Sequence, residues 1–108
     1  MRELTLNETI ILLAILRLQR TAYGVTIRNE VDKISRRKVA YGTLYSYLNQ
    51  LFRKGYVTKA FGASSSDRGG RSTIIYQVSP DGLKALETAY KLQKSVCCGV
   101  EEYLADKA

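Results

Sequence analysis

The chain has 108 residues, carries 17 Lys/Arg against 10 Asp/Glu, and contains no histidine and only two cysteines. That length accommodates one domain with a modest core, since a chain of this size buries roughly two-thirds of its unfolded surface. With 45% apolar and 25% charged residues it is no disordered tail, its longest apolar run, Ile10 to Leu16, is far too short to span a membrane, and the adjacent Cys97 and Cys98 cannot staple a disulfide framework.

The first predicted element opens at Thr5-Leu6-Asn7-Glu8. A Thr followed three residues later by Glu forms a capping box, in which each side chain satisfies the other's orphan backbone donor. Thr9 to Leu18 is then almost wholly apolar, so this helix needs cover on more than one side. Ile11, Leu12 and Ile15 are its candidates for contact with a second subunit. A second helix is expected over Tyr23 to Ile34, with Ile27, Val31 and Ile34 at helical spacing, and Ser35 to Lys38 is a basic connector.

A third helix is predicted from about Tyr41 to Lys54. Leu44, Leu48 and Leu51 fall at i, i+4 and i+7 and form its buried stripe. At about 100° per residue, Gly42, Ser46, Asn49 and Arg53 point the other way, flanked by Thr43, Gln50 and Tyr45. No Asp or Glu occurs between Tyr41 and Lys54, whereas a merely solvated helix face would normally carry some. Gly55 is a natural stop.

Two strands are expected at Tyr56 to Phe61 and Thr73 to Ser79, rich in Tyr, Val, Ile and Thr. The Gly- and Ser-rich stretch Gly62 to Ser72 joins them as a loop with Arg68 and Arg71 at its far end. Ser79-Pro80-Asp81 opens a last, long helix, with Ser as cap, Pro at the first helical position and Asp at the positive end of the dipole. Leu83, Leu86, Tyr90, Gln93, Cys97, Val100 and Leu104 follow 3-4 spacing along it, beside a second stripe of Ala85, Ala89, Leu92, Val96 and Tyr103. One stripe is enough to dock a helix on its own domain. Two imply a helix held between its domain and a twin, which makes Leu86, Tyr90, Leu92, Val96, Cys97, Val100 and Leu104 dimerisation candidates. Gly99 is a weak point in that helix.

The order is helix, helix, helix, strand, loop, strand, long helix, which predicts a mostly helical α+β fold of the winged helix-turn-helix kind. Residues 1–79 form the head and 80–108 a dimerisation helix. Residues 1–79 carry a net charge of +8 and residues 80–108 carry −1, so the positive field belongs to the head. A concentrated cationic surface attracts polyphosphate because each neutralised phosphate releases a counterion.

Three passages of the sequence resemble the PadR family of bacterial transcriptional regulators. They are AYGVTIRNEV (Ala22 to Val31), YGTLYSYLNQLFRKGYV (Tyr41 to Val57), which is similar to that family's GTLYPxLxxLxxxGxI pattern, and DRGGRSTIIYQVSPDGLKAL (Asp67 to Leu86), which is similar to its GGRxxxxYxLTxxG passage. Ser46 departs from the family's proline, and Phe52-Arg53 from a typically acidic patch. The resemblance implies a homodimer joined through its first and last helices, a double-stranded DNA partner, and repression. Some relatives hold planar aromatic effectors between subunits on a tryptophan. This chain has no tryptophan, leaving Tyr90 and Tyr103 to line such a cavity.

Thr43, Tyr45, Ser46 and Asn49 are the candidate base-reading residues, because hydroxyls reach phosphates or bases and Asn can pair with adenine at two atoms. Tyr41 and Tyr47 either join them or pack beneath the helix. Arg37, Lys38, Arg68 and Arg71, with Arg28 as a weaker case, are candidate phosphate contacts, and Arg36 is a further cation of the connector. Gly69-Gly70-Arg71 lacks the spacing of a phosphate loop. Without histidine or further cysteine no metal site or cofactor is expected, and Cys97 reads as a small buried hydrophobe. No nucleophile sits beside a base, so an enzyme is not expected. The competing reading is a winged-helix module that binds protein. It requires exposed apolar residues on the third helix or wing, and the sequence suggests none. The cysteines and the lack of a signal-peptide pattern fit the cytoplasm.

Overall fold

The computed structural model describes residues 4–61 and 73–105. Helix α1 (Leu6–Leu18) starts at the expected capping box. The Thr5 N–H donates to Glu8 Oε1 at 2.9 Å, and the Glu8 N–H donates to Thr5 Oγ1 at 3.2 Å. A short 3₁₀ turn (Gln19–Thr21) follows, then α2 (Gly24–Ser35) and α3 (Tyr41–Arg53). Strands β1 (Val57–Phe61) and β2 (Ile74–Val78) pair antiparallel in the register Val57–Val78 to Phe61–Ile74. Helix α4 (Pro80–Val96) and a short α5 (Glu101–Ala105) complete the chain. This is a winged helix-turn-helix, mostly helical.

The core lies where α1, α2, α3 and the hairpin converge. Leu44, Leu48 and Leu51 of α3 are fully buried against Leu12, Ile15 and Ile27. Tyr56, Val57 and Tyr76 close the hairpin side. Beyond the two paired strands, the Tyr76 N–H donates to the Ala22 carbonyl at 2.8 Å, which ties β2 to the chain just before α2.

The root of α4 is built into this head. Ser79 Oγ donates to the Gly55 carbonyl at 2.6 Å and accepts the Gly82 N–H at 3.0 Å. Gly82 lies so close to the Tyr56 carbonyl that any side chain there would overlap it. Ala85 and Leu86 are buried, and from Glu87 to Gly99 every residue except half-buried Ala89 is exposed.

Four sequence expectations change. Ile11, Leu12 and Ile15, expected at a subunit interface, are buried in the protomer's own core, and Leu6, Leu13 and Leu16 are the apolar α1 residues left exposed. The expected single helix from residue 80 to the end stops at Val96. A turn at residues 97–100, with Gly99 at φ +81°, takes Val100 and Leu104 off the α4 stripe. Leu86 belongs largely to the head, and Cys97, read as a buried hydrophobe, is exposed, as is Cys98.

One buried ion pair joins the two ends of this packing. Lys54 Nζ, just past α3, donates to Glu8 Oε2 at 2.6 Å; the Glu8 side chain is completely buried and that of Lys54 nearly so. Burial alone would push the Glu8 carboxyl up, but the hydrogen bond from Lys54, the Thr5 bonds and the Lys54 charge outweigh it. The carboxyl is held below its ordinary value of 4.5. A depressed carboxyl contributes stability that is complete above that value and is lost as pH falls through the folded one. Glu8→Gln strands a buried ammonium and is expected to cost about 3 kcal/mol at neutral pH. Thermal melts of both proteins across acidic pH should show the gap closing below pH 4.5; a gap independent of pH would refute the pair's contribution.

Candidate nucleic-acid interface

Helix α3 is half core and half surface. Opposite its buried leucines, Gly42, Thr43, Ser46, Asn49, Gln50 and Arg53 are all exposed. The missing acidic residues therefore leave a real surface of hydroxyls, amides and one guanidinium. Of the sequence-predicted readers, Thr43, Ser46 and Asn49 share this face.

The two tyrosines are placed differently. Tyr45 stacks on Tyr41 with ring centroids 6.4 Å apart, and its hydroxyl lies hard against Gly24 of α2. The Arg28 guanidinium carbon sits 4.6 Å from the Tyr41 ring centroid. Both rings thus lean on α2 while staying partly exposed, at 42% for Tyr45 and 39% for Tyr41. Tyr47 is half-buried, and its hydroxyl accepts a hydrogen bond from Asn7 Nδ2 at 2.9 Å.

The connector brings positive charge to the start of α3. Arg36 closes α2 in a left-handed conformation at φ 58°, its N–H donating to the Asp32 carbonyl at 2.8 Å. Arg37 and Lys38 are exposed, and with Ser35, Thr43 and Asn7 they rim a shallow recess of about 180 Å³ beside α3. Two cations and the hydroxyls of Ser35 and Thr43 around one recess suit a backbone phosphate.

Arg68 and Arg71 lie outside the described residues. At the base of the hairpin, Lys59 Nζ stands 4.4 Å from the Phe52 ring centroid and 6.0 Å from that of Tyr76, a cation held between α3 and the sheet. Phe61 and its cross-strand partner Ile74 are exposed, Phe61 at 81%, and so is Phe52. This corrects the expectation of no exposed apolar residues there. Phe61 and Ile74 lie outside the core because only the strand pairs nearest α3, up to Lys59–Tyr76, reach it, and Phe52 lies on α3 outside the buried leucine stripe.

Residues 12–88 match the sequence profile of the Transcriptional regulator PadR-like family. The chain belongs to the PadR-like family. A PadR-like transcriptional regulator from Bacillus cereus is similar in structure, with a TM-score of 0.74, 24% identity and coverage of 90% of this chain and 89% of that one. RosR of H. salinarum gives a TM-score of 0.69 and 26% identity over 98% of this chain and 94% of its own. A PadR family regulator from Eggerthella lenta gives 0.67 and 22% identity, covering 89% and 81%. Curated protein sequences contain no significant match. A PadR-like protein is a transcriptional regulator, which implies DNA binding and no enzymatic activity. Among the described residues no helix is long and apolar enough to cross a membrane, and no group of His, Cys, Asp and Glu could hold a metal ion.

Among the exposed side chains of α3, the Asn49 amide has the chemistry that suits an adenine. Asn49→Ala should weaken binding by about 1–3 kcal/mol at one base position, read as relaxed preference there in a binding-site selection. Replacing Arg37 and Lys38 by Ala should instead weaken all duplexes alike and make the salt slope shallower by about 0.9 for each phosphate no longer neutralised. An unchanged preference after Asn49→Ala would remove it from the reading surface.

Proposed function

We propose that this regulator is a homodimeric repressor that binds a pseudo-palindromic operator, with α3 of each protomer in the major groove. The observation that carries the reading is the carboxylate-free exposed face of α3, flanked by Arg37 and Lys38. Thr43, Ser46 and Asn49 contact bases, and Arg37 and Lys38 hold the backbone, as would Arg68 and Arg71 of the wing sequence. Two heads one helical turn apart put half-site centres about 34–36 Å from each other. Bound there, the dimer blocks polymerase by occupancy.

The second copy is supported by unmatched apolar surface at α4. Beyond Leu86 this helix has little cover within the protomer, yet it exposes Tyr90, Leu92 and Val96. Between α1 and α4 runs an open groove of about 810 Å³ walled by Leu13, Leu16, Leu83, Tyr90 and Cys97. A twin α4 laid in this groove covers both faces at once. Residues 1–79 then act as the reading head and residues 80–108 as the pairing segment, although the first turns of α4 serve the head's core. A planar aromatic effector, if one acts, fits the same groove beside Tyr90. The exposed Phe61 and Ile74 favour a second reading, a protein-binding module.

Titration against DNA upstream of its own gene at several salt concentrations separates the two. Repressor binding predicts a log K that falls steeply with log salt, and a specific duplex that out-competes random DNA. Salt-insensitive or absent binding would favour the protein module. Leu16→Asp and Tyr90→Asp alter exposed positions, so the fold should survive while sedimentation velocity shows monomers and operator affinity falls sharply. A dimer undisturbed by both changes would sink the proposed interface.

A further inference from the structure

Helix α3 begins without a cap of its own. Its N-cap residue is Ala40, which makes no side-chain capping bond. The residue before it is held from outside instead. Arg28 Nε donates to the Val39 carbonyl at 2.8 Å, and the Val39 N–H donates to Asp32 Oδ1 at 3.1 Å. Both polar groups of one peptide residue are thus claimed by α2.

The two α2 residues are one turn apart, and Gly24 lies one turn before them, so 24, 28 and 32 form a single stripe. Against this stripe lie Val39, Tyr41 and Tyr45. The face of the Arg28 guanidinium is spent on Tyr41, and Tyr45 passes close over Gly24, where a methyl would overlap its hydroxyl. This seam runs along a flank of α3, between the buried leucine stripe and the exposed face. The leucines set which side of α3 faces the core; the seam adds a second hold at its first turn, ahead of Leu44.

We propose that Arg28 and Asp32 are positioning residues, which fix the angle at which the N-terminal half of α3 meets DNA without contacting DNA themselves. The inference rests on the DNA-binding function proposed above. It requires the planar fork of arginine: lysine supplies the charge but cannot both donate sideways to a carbonyl and stack on a ring. Asp32 supplies the sharper distinction, because removing its negative charge favours DNA electrostatically while releasing Val39.

The test uses the full chain, a duplex selected by the wild-type protein from a randomised pool, and a scrambled duplex of equal composition. Arg28→Ala, Arg28→Lys and Asp32→Ala should each lower the ratio of selected to scrambled affinity by about tenfold. The salt slope on scrambled DNA should not change for Arg28→Ala. Rescue by Arg28→Lys together with a shallower slope for Arg28→Ala would overturn the proposal in favour of a phosphate contact. So would an Asp32→Ala protein that binds both duplexes more tightly in equal proportion. Should melting show that the Arg28 variants do not fold, Gly24→Ala remains: its methyl displaces the Tyr45 ring from the seam, and the same drop is expected. A wild-type protein that selects no duplex would remove the function itself, whereas variants that keep the wild-type ratio would remove only this inference.

Discussion

Much of this molecule follows from the buried contact between Glu8 and Lys54. A carboxylate with no solvent access is tolerated only where its oxygens are met, and here Thr5 meets one and Lys54 the other. The start of α1 and the end of α3 are thereby fixed to each other across a span of 46 residues. The leucine stripe then decides which side of α3 turns inward. The seam from α2 takes hold of the other end, through both backbone groups of Val39. A helix constrained at its exit, along its apolar side and at its entry has one orientation left, which is what a rigid reading element requires.

Charge and apolar surface are divided along the chain in a way that serves this arrangement. The cations cluster in the first 79 residues, where Arg37 and Lys38 stand beside the exposed side of α3. Apart from the tyrosines of α3 and Phe52, Phe61 and Ile74 near the hairpin, a second group of uncovered hydrophobes lies on Leu13 and Leu16 of α1 and on α4 beyond Leu86. In the proposed dimer, DNA and the second copy would therefore use different parts of one small body. Arg17, exposed on α1, pairs with Glu30 of α2 at 3.2 Å, which offsets part of its charge.

How far the sequence could be read depended on how local each signal was. The capping box, the leucine stripe of α3 and the Ser-Pro-Asp start of α4 are each set by neighbours within a turn or two, and their spacing was enough. Helix α1 was harder. Thr9 to Leu18 has almost no polar residue to mark its outer side, so spacing could not tell Ile11, Leu12 and Ile15, which face the protomer's core, from Leu13 and Leu16, which do not. The break after Val96 was also hidden, because Val100 and Leu104 keep the helical period in the sequence and only Gly99, in a left-handed conformation, gives it away. In the interface, the exposed face of α3 was legible from its lack of acids. The leaning of Tyr41 and Tyr45 towards α2 was not, although Gly24, Arg28 and Asp32 recur every fourth residue and carry that information. The pairing of Lys54 with Glu8, 46 residues apart, offered no local sign.

Helix α4 has 17 residues, about 25 Å of rigid rod, and only its first two turns are rooted in the head. Its anchorage at Ser79 and Gly82 allows no give, because the rod abuts the backbone of Tyr56 directly. Such a rod behaves as a lever with a stiff fulcrum. In the dimer proposed above, a shift of an ångström or two in how two such rods cross would carry through to the spacing of the two heads, and a ligand held between the rods would alter that spacing without touching the exposed face of α3.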